Sequence, residues 1–175
     1  ATEDDLSSVD DIVDRFDEDD LVIALSASGS TPYPCEIAKR AHAKGTKVIA
    51  IADNAATPLL DVADVASVLP ARAEVLAGST RLGAGTAQKV ALNIISTLAT
   101  VQLGHVFQGM MVNLKADNAK LRDRAIGIVA NIANVSEQEV DRVLVASGRD
   151  LKLVILLAKG CDPAISKHLL AEYQG

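Results

Sequence analysis

A short apolar run followed by a hydroxyl-rich loop constrains the fold most strongly. Leu21-Val22-Ile23-Ala24-Leu25 is uninterrupted by polar residues, which is typical of a strand buried on both faces of a parallel sheet. Pro32 and Pro34 follow the loop, in the first turn of a helix where proline gives up no needed donor. We expect that helix to span Cys35–Lys44 and to end at Gly45.

Two further apolar runs extend the pattern. Lys47-Val48-Ile49-Ala50-Ile51 is predicted to be the second strand, and Val65–Leu69, before Pro70, a weaker third one. Strands separated by helices pair in parallel through right-handed crossovers, so the sequence predicts an α/β fold with a parallel sheet. Ligands of such sheets bind outside the carboxyl ends of the strands, where Ser26-Ala27-Ser28-Gly29-Ser30-Thr31 lies.

A second polar segment, Gly78-Ser79-Thr80-Arg81-Leu82-Gly83-Ala84-Gly85-Thr86-Ala87-Gln88-Lys89, opens into a regular apolar helix. Glycines allow close approach of backbone N–H groups, and the first N–H groups of a helix attract anions. A phosphate cradle is one interpretation. The other is a capped helix after a polar loop.

The rest of the chain is predicted to be helical. Val90, Ile94 and Leu98 recur at helical spacing in a helix that runs from Thr86 up to Gly104. Four further helices are expected: Asp117–Ile132, one after the capping box that begins at Ser136, Leu151–Lys159 and Pro163–Tyr173. We therefore expect an acidic leader over residues 1–20, an α/β domain over 21–115 and a small helical subdomain over 116–175.

Charge and composition restrict the class of ligand. The 175 residues carry a net charge of −6 and only 2% are aromatic, which argues against nucleic acid as a partner. The leader holds ten of the 23 acids and one base, so the remaining residues sum to +3 and suit a small anion.

The longest apolar run, Leu153–Ala158, is too short to span a membrane. Cys35 and Cys161 have no metal-ligand spacing, so both are expected to be reduced thiols in a cytoplasmic protein.

Several segments, in this order, resemble the sugar isomerase (SIS) family, and most closely its N-acetylmuramic acid 6-phosphate etherases. The segments are Ser26 to Tyr33, Glu74 to Lys89, Asn93 to Thr97, Leu103 to Phe107 and Met110 to Leu121. The resemblance implies a three-layer parallel sheet of SIS type, no metal or organic cofactor, and a homodimer formed through SIS-domain helices.

The resemblance also implies the residues of a phosphosugar site. Serine and threonine hydroxyls would hold the 6-phosphate of a phosphorylated amino sugar, and by motif position these are Ser26, Ser28, Ser30, Thr31, Ser79 and Thr80. In the etherases one carboxylate removes the C2 proton of the open-chain sugar and another assists departure of D-lactate from C3, before water adds back. Ala1-Thr2-Glu3-Asp4-Asp5 matches the family's Gly-Ala-Glu-Asp-Asp motif, which implies that Glu3 is the base.

Three departures from the family pattern keep alternatives open. The other catalytic glutamate and a glycine-rich loop belong to a preceding half of the family fold that this chain lacks, so this chain alone is expected to turn over little substrate. Ser30 and Gly83 stand where etherases usually have arginine and lysine. In having serine at the position of Ser30, the chain is similar to the glucokinase regulatory proteins, which bind sugar phosphates without catalysis. The hypotheses are therefore a carbon–oxygen lyase of cell-wall sugar recycling, a non-catalytic phosphosugar-binding regulatory module, or an aldose–ketose isomerase.

Overall fold

The computed structural model describes residues 3–71, 73–147 and 150–173. The chain divides into two compact units, Ala1–Ile95 and Ser96–Gly175. The first contains a parallel sheet and the second is mainly helical.

The sheet of the first unit has three parallel strands in the order β1-β2-β3. They are β1 (Leu21–Ser26), β2 (Lys47–Ala52) and β3 (Val65–Val68). Residues Leu21 and Lys47 are register partners at one end of the β1–β2 pair, and Ser26 and Ala52 at the other. The α/β prediction is confirmed, and the carboxyl ends of β1 and β2 lie side by side.

Three helices accompany the sheet: α1 (Val9–Val13), α2 (Pro32–Ala43) and α3 (Pro58–Asp61). The core between them is built mostly from small side chains, so helix and sheet backbones approach closely. It contains Ala24, Ala38, Ala41, Val48, Ala50, Ala52, Leu59 and Leu60.

The acidic leader packs against α2. Val9 is fully buried, and the Lys44 ammonium group donates hydrogen bonds of 2.9 Å to the carbonyl oxygens of Val13 and Asp14 at the end of α1. Arg40 forms an ion pair with Asp10. The leader's described carboxylates are exposed, but Val9 and Val13 are buried in the fold.

The long helix α4 (Gly83–Gln102) begins three residues before the predicted Thr86. Several of its apolar side chains remain exposed, among them Val90, Ile94 and Leu98. A two-stranded antiparallel hairpin follows, β4 (Val106–Phe107) and β5 (Met110–Met111). Its turn residues Gln108 and Gly109 both have positive φ angles, as the type I′ turn of a two-residue hairpin requires.

In the described part of the second unit, four helices follow the hairpin at the predicted places: α5 (Ala119–Ala133), α6 (Glu137–Ala146), α7 (Leu151–Ala158) and α8 (Pro163–Glu172). Their core includes Val129, Val140, Leu151 and Val154. The predicted capping box is present at α6, where Ser136 and Glu139 satisfy each other's backbone N–H groups. Within the described residues, no helix is long and apolar enough to cross a lipid bilayer.

Candidate functional site

Four hydroxyl groups cluster at the carboxyl end of β1. The Ser26 Oγ atom lies 2.9 Å from Thr31 Oγ1 and 3.3 Å from Ser28 Oγ. Ser30 Oγ donates to Ser28 Oγ at 3.2 Å. Hydroxyls both donate and accept, so they can satisfy one another and then turn their hydrogens toward an anion. The structure therefore brings together all four residues predicted from this loop.

Gly29 sets the shape of the loop. Its φ angle of +71° is left-handed, and its N–H group donates to the Ser26 carbonyl and to Ser26 Oγ, both at 3.1 Å. Its carbonyl accepts from the N–H of Leu59 at 3.0 Å. A Cβ atom at this position would lie 2.2 Å from Thr57 Oγ1, so the loop packs tightly against the segment that precedes α3. The hydroxyl cluster is thus held by contacts on two sides.

The start of α2 contributes few free donors to this site. Pro32 and Pro34 have no N–H groups, and the N–H of Tyr33 donates to the Glu3 carbonyl at 3.2 Å. The N–H of Cys35 donates to the Thr31 carbonyl at 3.3 Å. Hydroxyl groups, rather than helix N–H groups, are the donors that this loop offers to a ligand.

An open pocket of about 630 Å³ adjoins the cluster, within the first unit. It is large enough for a phosphorylated monosaccharide. Its lining includes five of the predicted site residues: Glu3, Ser26, Ser28, Thr31 and Thr80. Ser30 and Ser79 are not part of the lining. Ser30 contacts the pocket residue Ser28, whereas Ser79 Oγ accepts a 3.3 Å hydrogen bond from the N–H of Arg81.

The start of α4 binds a carboxylate of the chain itself. Glu74 Oε1 accepts hydrogen bonds from the N–H groups of Gly83 at 2.9 Å and Ala84 at 3.2 Å. A negative charge is favourable there because it faces the positive end of the helix dipole. Glu74 therefore caps this helix start in the structure, and the N–H groups of Gly83 and Ala84 are occupied by its carboxylate.

Sequence reasoning missed a half-buried pair beside the pocket. Asp53, the residue after β2, accepts a 2.8 Å hydrogen bond through Oδ2 from Gln88 Nε2, and Gln88 lines the pocket. Burial raises the pKa of the Asp53 carboxyl; the hydrogen bond from Gln88 opposes this shift, and the nearby charge of Glu74 adds to it. The position of Asp53 directly after β2 is a signal that the sequence carries. The carboxyl ends of β1 and β2 lie at the same edge of the sheet, where ligand sites of parallel sheets form.

Cys35 lies behind the loop and contacts the Gly29 carbonyl, with its Sγ atom 3.7 Å from the oxygen. Burial raises the pKa of its thiol above the usual range, so the unreactive protonated form is favoured. Cys35 and Cys161 are both free thiols. Cys35 therefore packs against the loop and is not an activated thiol.

The sheet and the pocket define an α/β protein with a hydroxyl-lined site at its strand ends. A family model described as the SIS domain matches residues 2–98, and the chain belongs to that family. The match contains β1, β2, β3 and every residue of the pocket lining.

Similar curated proteins come from several bacteria. Proteins named N-acetylmuramic acid 6-phosphate etherase, from Salmonella paratyphi B, Salmonella dublin and Salmonella enteritidis PT4, are each 39% identical to this chain over 176 aligned residues. The alignment covers all of this chain and 58% of the relative's length in each case. Among solved structures, the Vibrio vulnificus NanR protein complexed with ManNAc-6P matches with a TM-score of 0.43 and 21% identity, over 81% of this chain and 43% of that one.

Proposed function

We propose that the pocket of the first unit binds a 6-phosphosugar and that its hydroxyl cluster holds the phosphate. The observation that carries the proposal is the convergence of Ser26, Ser28 and Thr31, whose side-chain oxygens lie within 3.5 Å of one another at a strand end. Hydrogen bonds from neutral hydroxyls to a charged phosphate are among the stronger ones in proteins. Ser30, Ser79 and Thr80 complete the predicted set, and Thr80 supports it by lining the same pocket.

We further propose that the chain belongs to a lyase that removes D-lactate from N-acetylmuramic acid 6-phosphate, in the recycling of cell-wall sugars. The names of relatives that are 39% identical over the whole chain support this substrate. Glu3 supports the chemistry, since it lines the pocket and a carboxylate can remove the C2 proton of the open-chain sugar. The carbon–oxygen bond at C3 then breaks as a second acidic group protonates the departing lactate oxygen, and water adds across the resulting C2–C3 double bond, with its hydroxyl on C3 and a proton on C2.

One observation favours a second candidate, a phosphosugar-binding module without catalysis. Among the described residues that line the pocket, Glu3 is the only one with a titratable carboxyl group. Elimination of an alkoxide needs an acid as well as a base. A site with one carboxylate can bind the sugar phosphate and still lack the group that protonates the leaving oxygen.

The experiment that separates these candidates measures D-lactate. The complete gene product is incubated with N-acetylmuramic acid 6-phosphate, D-lactate is assayed enzymatically, and binding is measured in parallel by calorimetry. A lyase releases lactate, and Glu3→Gln abolishes the release while Glu18→Gln, an exposed acid of the same leader, leaves it unchanged. Tight binding without any lactate supports the binding module instead.

We also propose a homodimer in the cytoplasm. The exposed apolar side chains on α4, including Val90, Ile94 and Leu98, support association through this helix, since such stripes are normally covered. Two free cysteines are consistent with a reducing compartment. Sedimentation of the protein, with Ile94→Glu as the disrupting variant, tests the dimer.

A further inference from the structure

Asp53 and Gln88 form a connection between the strand ends and the pocket wall. The N–H group of Asp53 donates to the carbonyl of the pocket residue Ala27 at 3.1 Å, which fixes its backbone beside the hydroxyl loop. Its side chain accepts the hydrogen bond from Gln88 Nε2 at 2.8 Å. Asp53 does not itself line the pocket, so any effect on a ligand passes through Gln88.

The chemistry of the pair determines which way the Gln88 amide points. An ionised carboxylate accepts hydrogen bonds and cannot donate one, so it must face the NH₂ group of the amide and not its oxygen. The second carboxylate oxygen, Asp53 Oδ1, is buried and has no hydrogen-bond partner among the described residues. The hydrogen bond from Gln88 therefore satisfies a carboxylate that is otherwise poorly solvated, which makes reversal of the amide costly.

We propose that Asp53 is a positioning residue that holds the Gln88 amide with its Oε1 atom free to accept a hydrogen bond from the sugar. This inference rests on the proposed phosphosugar site and names its specificity: the ligand must present a hydroxyl or amide N–H donor to Gln88. Inorganic phosphate, which the hydroxyl cluster holds, does not use this contact. Asp53 thereby contributes to selection of a sugar phosphate over phosphate alone.

The test compares two ligands on four proteins. Affinities for N-acetylmuramic acid 6-phosphate and for inorganic phosphate are measured by calorimetry on the wild type, Asp53→Ala, Gln88→Ala and the double variant. Each single substitution is expected to weaken phosphosugar binding about 2- to 10-fold, the effect of one ordinary hydrogen bond. Phosphate binding is expected to stay unchanged, and the double variant to bind the phosphosugar no more weakly than Gln88→Ala does.

A second variant guards against misfolding. Asp53→Asn keeps the volume of the side chain but can pair with either end of the Gln88 amide, so it should also lower phosphosugar affinity. Wild-type affinity for the phosphosugar in both Asp53 variants would overturn the inference. It would also be overturned if Asp53→Ala weakened phosphosugar binding as much in the Gln88→Ala protein as in the wild type.

A ligand-free measurement separates this inference from the proposed function. In NMR spectra, one Gln88 Nε2 proton should shift downfield in the wild type relative to Asp53→Ala, because it is bonded to a carboxylate. If the wild type binds no phosphosugar, the proposed function fails and the specificity role of Asp53 fails with it. If the phosphosugar binds but the Gln88 amide signals are the same in both proteins, the positioning role alone is overturned.

Discussion

A Cβ atom on Gly29 would lie 2.2 Å from Thr57 Oγ1, so the loop that carries the hydroxyl cluster has no room for a side chain. Gly29→Ala is expected to destabilise the fold by about 2–5 kcal/mol, from the left-handed backbone and from overpacking. Gly45→Ala is the matched control, since Gly45 has a φ of +94° with no atom within 4 Å of its Cβ position. Urea denaturation measures both. Equal losses in the two variants would contradict the tight packing of Gly29 on Thr57.

Glu74 is predicted to stabilise α4 by capping it. Glu74→Ala leaves the N–H groups of Gly83 and Ala84 without their carboxylate and should cost about 0.5–2 kcal/mol, the usual worth of a helix cap. Glu18→Ala, which removes an exposed acid of the leader, should change stability by less than about 0.5 kcal/mol. The free energy of unfolding of the two variants provides the comparison, and no loss in Glu74→Ala would rule the cap out.

Asp64 is predicted to make stability depend on acid pH. Its carboxylate accepts from the Val48 N–H at 2.9 Å and pairs with Lys47 at 3.0 Å, and these interactions, the backbone one foremost, hold its pKa at about 2 instead of 3.8. Because the folded-state pKa is depressed, the ionised group stabilises the fold above pH 3.8, and this contribution is lost as the pH falls toward 2.

Thermal melts of Asp64→Asn test this dependence. The variant should melt below the wild type at neutral pH, and the gap should close between pH 3.8 and 2. A gap that stays constant over that range would mean that the charge of Asp64 does not contribute.

The leader is predicted to be part of the fold. Val9 in α1 is fully buried, so Val9→Ala should cost about 1–3 kcal/mol, through lost burial and the cavity left behind. Val75→Ala, at a position that is 84% exposed, should be nearly neutral. Equal stability of the two variants would show that α1 is not packed in solution. The position of Glu3 would then be in doubt, because the same segment carries it.

Much of this architecture could be predicted from sequence because the signals were local. Apolar runs marked the three strands of the parallel sheet, and the capping box at Ser136 marked α6. The α1 helix was missed because it is only five residues long and lies among exposed acids. The hairpin at Gln108-Gly109 was missed because each of its strands has two residues, too few to show alternation.

The hydroxyl loop of the candidate site could be predicted from the sequence, but the contacts that Glu74 and Asp53 make beside it could not. Ser26, Ser28 and Thr31 are close in sequence, so their clustering follows from one turn. The partners of Glu74 and Asp53 lie nine and 35 residues away in sequence, and such pairs depend on tertiary structure that periodicity does not reveal. For the same reason the sequence left open whether the start of α4 is a phosphate cradle or a capped helix, and it did not indicate that Glu74 would be the cap.

The most direct test of the phosphosugar site is calorimetry with N-acetylmuramic acid 6-phosphate and with the same sugar lacking its phosphate. The wild type should bind the phosphorylated sugar far more tightly. Ser28→Ala should weaken that binding by about 1–3 kcal/mol, the worth of a hydrogen bond to a charged group. Ser67→Ala, on β3 and outside the pocket lining, should not. Equal affinity for the two sugars, or unchanged affinity in Ser28→Ala, would contradict a phosphate site built from the hydroxyls of this loop.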